Sequence, residues 1–185
     1  MHSEETLGST EVFRGRIFRV TVDQVSLEDG SVSQREIVHH HGGAAILPLD
    51  EDGNVTMVRQ FRYAFSRELM EIPAGKLEAG EDPRAAAIRE LEEECGLLAG
   101  QVTDLGCIYP TVGYDDEIIY LYLARDLRKT AARPDQGEFL TLETHPLEEL
   151  TALALSGGLR DGKTVAAVLK TAMLIAQHSG HDDQP

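Results

Sequence analysis

Residues 75–97 read GKLEAGEDPRAAAIRELEEECGL. Asp82 is a natural N-cap. Pro83 suits the first helical position, where a missing N–H loses no partner, and Gly96 suits the left-handed stop after the last turn. These signals predict a helix over residues 83–95. On it Glu90, Glu93 and Glu94 stand at i, i+3 and i+4, so three carboxylates share one face. Ala87, Ile88, Leu91 and Cys95 form the adjoining apolar stripe. A helix built only for solubility would intersperse lysines. Crowding like charges is unfavourable unless a cation sits among them. Ligation by oxygen alone, with no His or Cys in the cluster, points to a hard divalent ion, Mg²⁺ or Mn²⁺. For a bare ELEEE run the competing reading is a solvated acidic face, and the residues around the run decide between the two.

Outward from this segment, the chain has 185 residues, room for one compact domain and a small appendage. Hydrophobic residues make up 42%, enough for a sizeable core. Seventeen Lys and Arg stand against thirty-two Asp and Glu, a net charge of −15. Such a chain is a poor partner for nucleic acid, which is bound by neutralising phosphates. To hold any anionic ligand it needs metal ions that invert the local field. Cys95 and Cys107 offer neither metal spacing nor a disulfide framework, and Cys95 reads as a small core residue. The first residues, MHSEETLGSTE, are acidic and polar, unlike a signal peptide, and no apolar run is long enough for a membrane span. The expectation is a cytoplasmic enzyme with no membrane and no nucleic-acid partner. Residues 179–185, at the end of HSGHDDQP, read as a disordered tail.

Before the helix, RIFRVTVDQV (16–25) and VSQREIVH (32–39) alternate like strands around LEDGS, a hairpin signal. GAAILP (43–48) and NVTMVRQF (54–61) repeat the pattern around DEDG, and ELMEIP (68–73) leads into the helix segment. After it, strands are expected near 102–109, 117–124 and 138–143, followed by helices over about 147–156, opened by Pro146, and 164–177. Strands before and after a central helix, then two helices, predict an α+β chain in α/β/α layers, a mixed sheet between helices. Two signals mislead. GGLRDGKT (157–164) matches the phosphate-cradling G-x-x-x-x-G-K-T pattern, but a helix rather than a buried strand is expected before it, and Asp161 reads better as a helix cap. His39, His40 and His41 lie on a strand, where neighbours point to opposite faces and cannot converge on one ion.

Gly75, Glu81, Arg89, Glu90, Leu91, Glu93, Glu94, Gly96 and Leu97 fit, in register, the pattern Gly-x5-Glu-x7-Arg-Glu-U-x-Glu-Glu-x-Gly-U, where U is a bulky aliphatic residue. At frequencies of about 5–7% each, the seven fully specified residues would recur by chance on the order of once in a million such chains or less. The segment resembles the Nudix box, the signature of hydrolases of a nucleoside diphosphate linked to another group. Over roughly residues 11–175 the chain is similar to ADP-ribose pyrophosphatases of that superfamily, through REIVHHHGGAAILP, VRQFRYAFSRELMEIPAG, YPTVGYDDEIIYLYLA and DQGEF. The resemblance implies the Nudix fold with a small N-terminal antiparallel β-domain. The divisions would be residues 1–43 for that domain, serving dimerisation and substrate contact, and 44–178 for the hydrolase domain. It also implies a homodimer whose subunits share each site.

By the same resemblance, Glu90, Glu93 and Glu94 would hold the metals together with the backbone carbonyl of Ala74. Arg89 would orient the glutamates, and Glu81 would support them. Arg62, and with less support Arg59, would meet the substrate phosphates, Glu71 would bind the nucleotide, and Arg35 would reach the partner's substrate. Glu117 matches a substrate-contacting acid. For the three arginines an ion pair on a strand surface is the competing reading, and for Glu117 a solvated strand start. The implied reaction is metal-assisted attack of water on one phosphorus, giving AMP and ribose 5-phosphate from ADP-ribose. The base would lie in the PDQGE loop, Glu138 first and Asp135 second. One departure bears on the substrate: ADP-ribose-specific members often carry a proline downstream of the box where this chain has Val112, and its nearest proline is Pro110. GDP-mannose, flavin dinucleotide and dinucleoside polyphosphates therefore stand as alternative substrates, and a non-catalytic nucleotide-sugar sensor as an alternative function. With no Trp in the chain, base stacking would fall to Phe or Tyr, with Phe18 and Tyr114 as candidates.

Overall fold

The computed structural model describes residues 2–133, 137 and 139–179. The chain packs as two compact units, Met1–Gly42 with Tyr109–Ile118, and Gly43–Ile108 with Ile119–Pro185.

The first unit is an antiparallel meander of β1 (Glu5–Arg14), β2 (Phe18–Ser26) and β3 (Val32–His40), in that order across the sheet. β2 and β3 pair from Phe18↔His40 to Ser26↔Val32 around a turn in which Gly30 adopts φ 80°. The segment 109–118 lies along β3: the Val38 N–H donates to the Tyr114 carbonyl, and the Asp116 N–H donates to that of Val38. β1 was not expected from sequence. All ten of its residues are exposed, so no apolar alternation announces it; it is held by its backbone ladder to β2. Periodicity reports which face is buried, and a strand with no buried face leaves no such trace.

The second unit contains β4 (Gly43–Pro48), β5 (Asn54–Arg62), β6 (Arg67–Glu71), β7 (Ala74–Lys76), α1 (Pro83–Cys95), β8 (Leu97–Ile108), β9 (Ile119–Lys129), β10 (Thr141–Pro146), α2 (Leu147–Ser156) and α3 (Gly162–Ser179). Its main sheet has the order β7-β4-β9-β8, with β4 and β9 parallel and the other pairs antiparallel. A smaller antiparallel sheet has the order β10-β5-β6.

Every residue of β4 is buried, as befits a strand covered on both faces. Its side chains divide by the two-residue period of a strand. Ala45 and Leu47 join Leu121 and Leu123 of β9 in a core completed by Leu150 of α2 and by Ala167 and Val168 of α3. Ala44 and Ile46 join Tyr122 and Ala124 in a second core closed by Ala86, Ala87, Leu91 and Cys95 of α1. Helices therefore cover both faces of a mixed sheet, the layering expected from the order of elements. Each fully buried Leu or Ile in these cores contributes about 1.5–3 kcal/mol.

The ELMEIP stretch divides in two: β6 ends at Glu71, and β7 begins at Ala74, after Pro73. β8 and β9 are longer than expected, because their antiparallel ladder runs on from Leu97↔Lys129 through residues that are largely exposed. The strand expected near 138–143 is β10, starting at Thr141. Of the tail expected at 179–185, Ser179 ends α3 and the rest lies outside the described residues. Among the described residues no helix is long and apolar enough to cross a membrane.

Candidate active site

α1 forms where its signals placed it. The Asp82 carboxylate accepts the Ala85 N–H at 2.9 Å, Pro83 opens the helix, and Gly96 at φ 61° closes it, donating its N–H to the Glu92 carbonyl. Burying Ala86, Ala87, Leu91 and Cys95 fixes the rotation of the helix and turns its carboxylates toward β7. There the Ala74 N–H donates to Glu94 Oε2 at 3.1 Å. Gly75 lies so close to Glu90 that a Cβ on it would sit 1.8 Å from Oε1.

Arg89 organises the carboxylates. It donates to Glu81 Oε1 at 3.1 Å, Glu90 Oε1 at 2.8 Å and Glu93 Oε2 at 2.9 Å, and to Glu81 Oε2 at 3.3 Å. The Glu81 bonds, followed by those of Glu93 and Glu90, hold the guanidinium pKa well above its ordinary value against the opposing effect of burial. Glu81 is itself fastened by the Glu78 N–H. Glu94 is 5% exposed. One guanidinium offsets one of the three charges that converge on it, so the face remains electronegative. Among the described residues no three His, Cys, Asp or Glu side chains form a ready-made metal cage, and the meeting point of Glu81, Glu90 and Glu93 is Arg89. The donor set nonetheless fits a hard divalent cation in its chemistry: carboxylate oxygens on adjacent helix turns, with a peptide strand against them.

Behind Ala74 lies a buried ion network. Glu71, 2% exposed, accepts both Arg62 Nε at 2.6 Å and Nη2 at 2.7 Å, and also Lys163 Nζ. Lys163 also pairs with Asp161 at 3.0 Å. Burial pushes the Glu71 carboxyl pKa up, but Arg62 and Lys163 outweigh it and hold it below the ordinary value. Asp161 caps α3 as expected, accepting the Thr164 N–H at 3.1 Å and hydroxyl at 2.6 Å, while Thr164 Oγ1 accepts the Ile72 N–H at 2.9 Å. Arg59 is engaged elsewhere, by both oxygens of Glu143 at 2.5 and 2.8 Å.

The NUDIX domain model matches residues 39–168. The chain belongs to the Nudix hydrolase family. Residues 4–38 of this Nudix chain match the N-terminal domain of nucleoside diphosphate sugar hydrolases. It is 41% identical to the methanol dehydrogenase activator of Bacillus methanolicus over 91% of this chain and 92% of that protein. It is 38% identical to the ADP-ribose pyrophosphatase of Bacillus subtilis (strain 168) over 89% of this chain and 90% of that one. In fold it is similar to a crystal structure described as an ADP compounds hydrolase, with TM-score 0.84, 21% identity, and coverage of 96% and 97% of the two chains.

The second unit of this Nudix hydrolase thus brings together Ala74, Arg89, Glu90, Glu93 and Glu94, and joins Glu71 to Arg62 beside them. Arg35 and Glu117 belong to the first unit. Arg35 pairs with Glu4, and Glu117 lies 3.2 Å from His40 Nδ1. His39 bonds Asp116 and Thr21, and the three histidines do not converge. Phe18 packs on Phe13 with ring centroids 5.6 Å apart, and Tyr114 is exposed. Glu138 and Asp135 lie outside the described residues. Lys163 and Glu143 were not foreseen as partners. The clue to Lys163 was the P-loop-like GGLRDGKT, which runs from the end of α2 into the first turn of α3 and so follows a helix rather than a strand; its Lys and Thr face Glu71 and Ile72.

Proposed function

We propose that the chain hydrolyses the pyrophosphate of ADP-ribose, or of a related nucleoside diphosphate sugar, in a Mg²⁺-dependent reaction that yields AMP and ribose 5-phosphate from ADP-ribose. The observation that carries this reading is the Arg89-centred cluster of Glu81, Glu90 and Glu93, with Glu94 on the Ala74 N–H. A divalent cation held by Glu90, Glu93, Glu94 and the Ala74 carbonyl would neutralise pyrophosphate charge and acidify a bound water. Arg89 keeps the carboxylates oriented, so little reorganisation is needed at the moment of reaction. Arg62, the half-exposed member of its ion network, meets the phosphates. Water adds to one phosphorus, the bridging P–O bond breaks, and Glu138 or Asp135 takes the proton. The names of the B. subtilis relative and of the N-terminal family support the substrate class. The enzyme works as a homodimer in the cytoplasm, with Arg35 reaching the substrate of the partner subunit, Glu117 contacting substrate and Arg59 in a secondary role.

Product analysis tests this. Purified protein is incubated with Mg²⁺ or Mn²⁺ and ADP-ribose, GDP-mannose, flavin dinucleotide and dinucleoside polyphosphates, with Glu93→Gln alongside. AMP and ribose 5-phosphate from ADP-ribose, lost in Glu93→Gln, bear the reading out. Preference for another substrate keeps the chemistry and reassigns the contacts. Binding of ADP-ribose without turnover refutes the enzyme reading in favour of a sensor.

A further inference from the structure

We propose that Lys163 is a positioning residue: it keeps the buried Glu71 carboxylate neutralised while Arg62 turns from Glu71 to an anionic substrate. This rests on the reading of Arg62 as a phosphate contact. The network is lopsided in a way that a static ion cluster does not require. The Arg62 side chain is 40% exposed, whereas those of Lys163 and Glu71 are 10% and 3% exposed. Arg62 is therefore the member that solvent and substrate reach, and Lys163 is the interior one.

A buried carboxylate stripped of its counter-charge is strongly destabilised. If Arg62 were the sole partner of Glu71, drawing it onto a phosphate would incur that penalty on every binding event. With Lys163 on Oε2, Glu71 keeps one cation after Arg62 leaves. Asp161, which shares Lys163, is meanwhile held by the N–H and hydroxyl of Thr164 at the start of α3. Thr164 also fixes the Ile72 peptide, so the first turn of α3 holds Lys163 in register with Glu71. The likeness of GGLRDGKT to a phosphate loop thus conceals a lysine that acts on the phosphate contact through a carboxylate.

The experiment is a double-mutant cycle on the full chain. Dissociation constants for ADP-ribose are measured by calorimetry without divalent cation, with kcat and KM in Mg²⁺ and melting temperatures alongside. In Lys163→Met, Arg62 is trapped as the only cation on Glu71, so Kd and KM rise by about tenfold while kcat stays within about twofold. Lys163→Arg restores the charge and most of the affinity. In a Glu71→Gln background, Lys163→Met changes Kd no further, because no buried anion remains to hold Arg62. If the single Lys163→Met variant fails to fold, a change of Kd by Lys163→Met in this background still overturns the proposal. A purely structural lysine would lower the melting temperature and leave Kd and KM unchanged, which overturns the proposal. So does an equal Kd effect in the presence and absence of Glu71. A wild type that neither binds nor hydrolyses any nucleoside diphosphate sugar refutes the substrate reading itself, a result distinct from a competent wild type with an indifferent Lys163→Met.

Discussion

The Glu90 carboxylate rests against the bare α-carbon of Gly75, where even a methyl group would sit 1.8 Å from Oε1 and 2.1 Å from Cδ. Gly75 is thus the cradle for one oxygen-bearing side chain, and Arg89 holds that carboxylate from the other direction at 2.8 Å. Gly75→Ala pushes Glu90 aside. Because the obstructing atoms belong to a flexible side chain, the fold adjusts. We expect kcat to fall by about 10²-fold, the effect of misplacing a reacting group by about 1 Å. The melting temperature should move by less than about 4 °C, the shift expected of about 1 kcal/mol in a domain of this size. Steady-state kinetics and a thermal melt on the same preparation check this. Full activity would mean that the position of Glu90 is immaterial to turnover.

Gly96 presents the opposite case. Its φ is 61°, and an added Cβ would lie 2.7 Å from the Ala132 nitrogen and 2.8 Å from the Thr130 oxygen, both backbone atoms. Gly96→Ala combines a left-handed conformation that costs an L-residue about 1–2 kcal/mol with a clash that no side chain can relieve. Urea denaturation should show a loss of at least that size, the fold rather than kcat bearing the damage. An unchanged midpoint would contradict the close packing at the end of α1.

The Arg59–Glu143 pair carries a pH signature. Hydrogen bonding to Arg59, aided by His145, holds the Glu143 carboxyl down to about 2, from an ordinary value of 4.5. A folded-state pKa below the unfolded one contributes stability that is present above about pH 4.5 and is lost as the pH falls through about 2. The side chains are 33% and 26% exposed, so screening reduces the gain. Glu143→Gln should flatten the dependence of melting temperature on pH within this window and lower the melting temperature by a pH-independent amount above it. An identical acid profile in both proteins would remove the pair from the account.

The two cysteines should react in sequence. Burial, followed by the nearby Glu94 charge, pushes the Cys95 thiol up to about 12, while Cys107 is exposed. Since the thiolate is the nucleophile, native protein treated with iodoacetamide should be alkylated at Cys107 alone, and at Cys95 only once urea opens the core. Peptide mass mapping reads both sites. Rapid native labelling of Cys95 would mean that α1 does not pack as described.

What was legible in the sequence was what local rules encode. Asp82, Pro83 and Gly96 bracket α1 because caps and stops are properties of a few neighbouring residues. Glu90, Glu93 and Glu94 share a face because helical spacing alone places them there. β4 and the apolar stripes of α1 and α3 showed themselves through burial, which periodicity records. β1 left no such record, since all its residues are exposed and a backbone ladder pairs it with β2. Partners of charged residues far apart in sequence were also hidden, because ion pairing depends on distance in space. Arg59 and Glu143 are 84 residues apart, and Lys163 and Glu71 are 92 apart. The sequence by itself determined the box helix, its acidic face, the layered α/β/α order and the family chemistry they imply. Tertiary structure alone decided that Arg59 meets Glu143 and Arg62 meets Glu71, and that the lysine of a phosphate-loop look-alike serves Glu71, because only folding brings α3 against the end of β6.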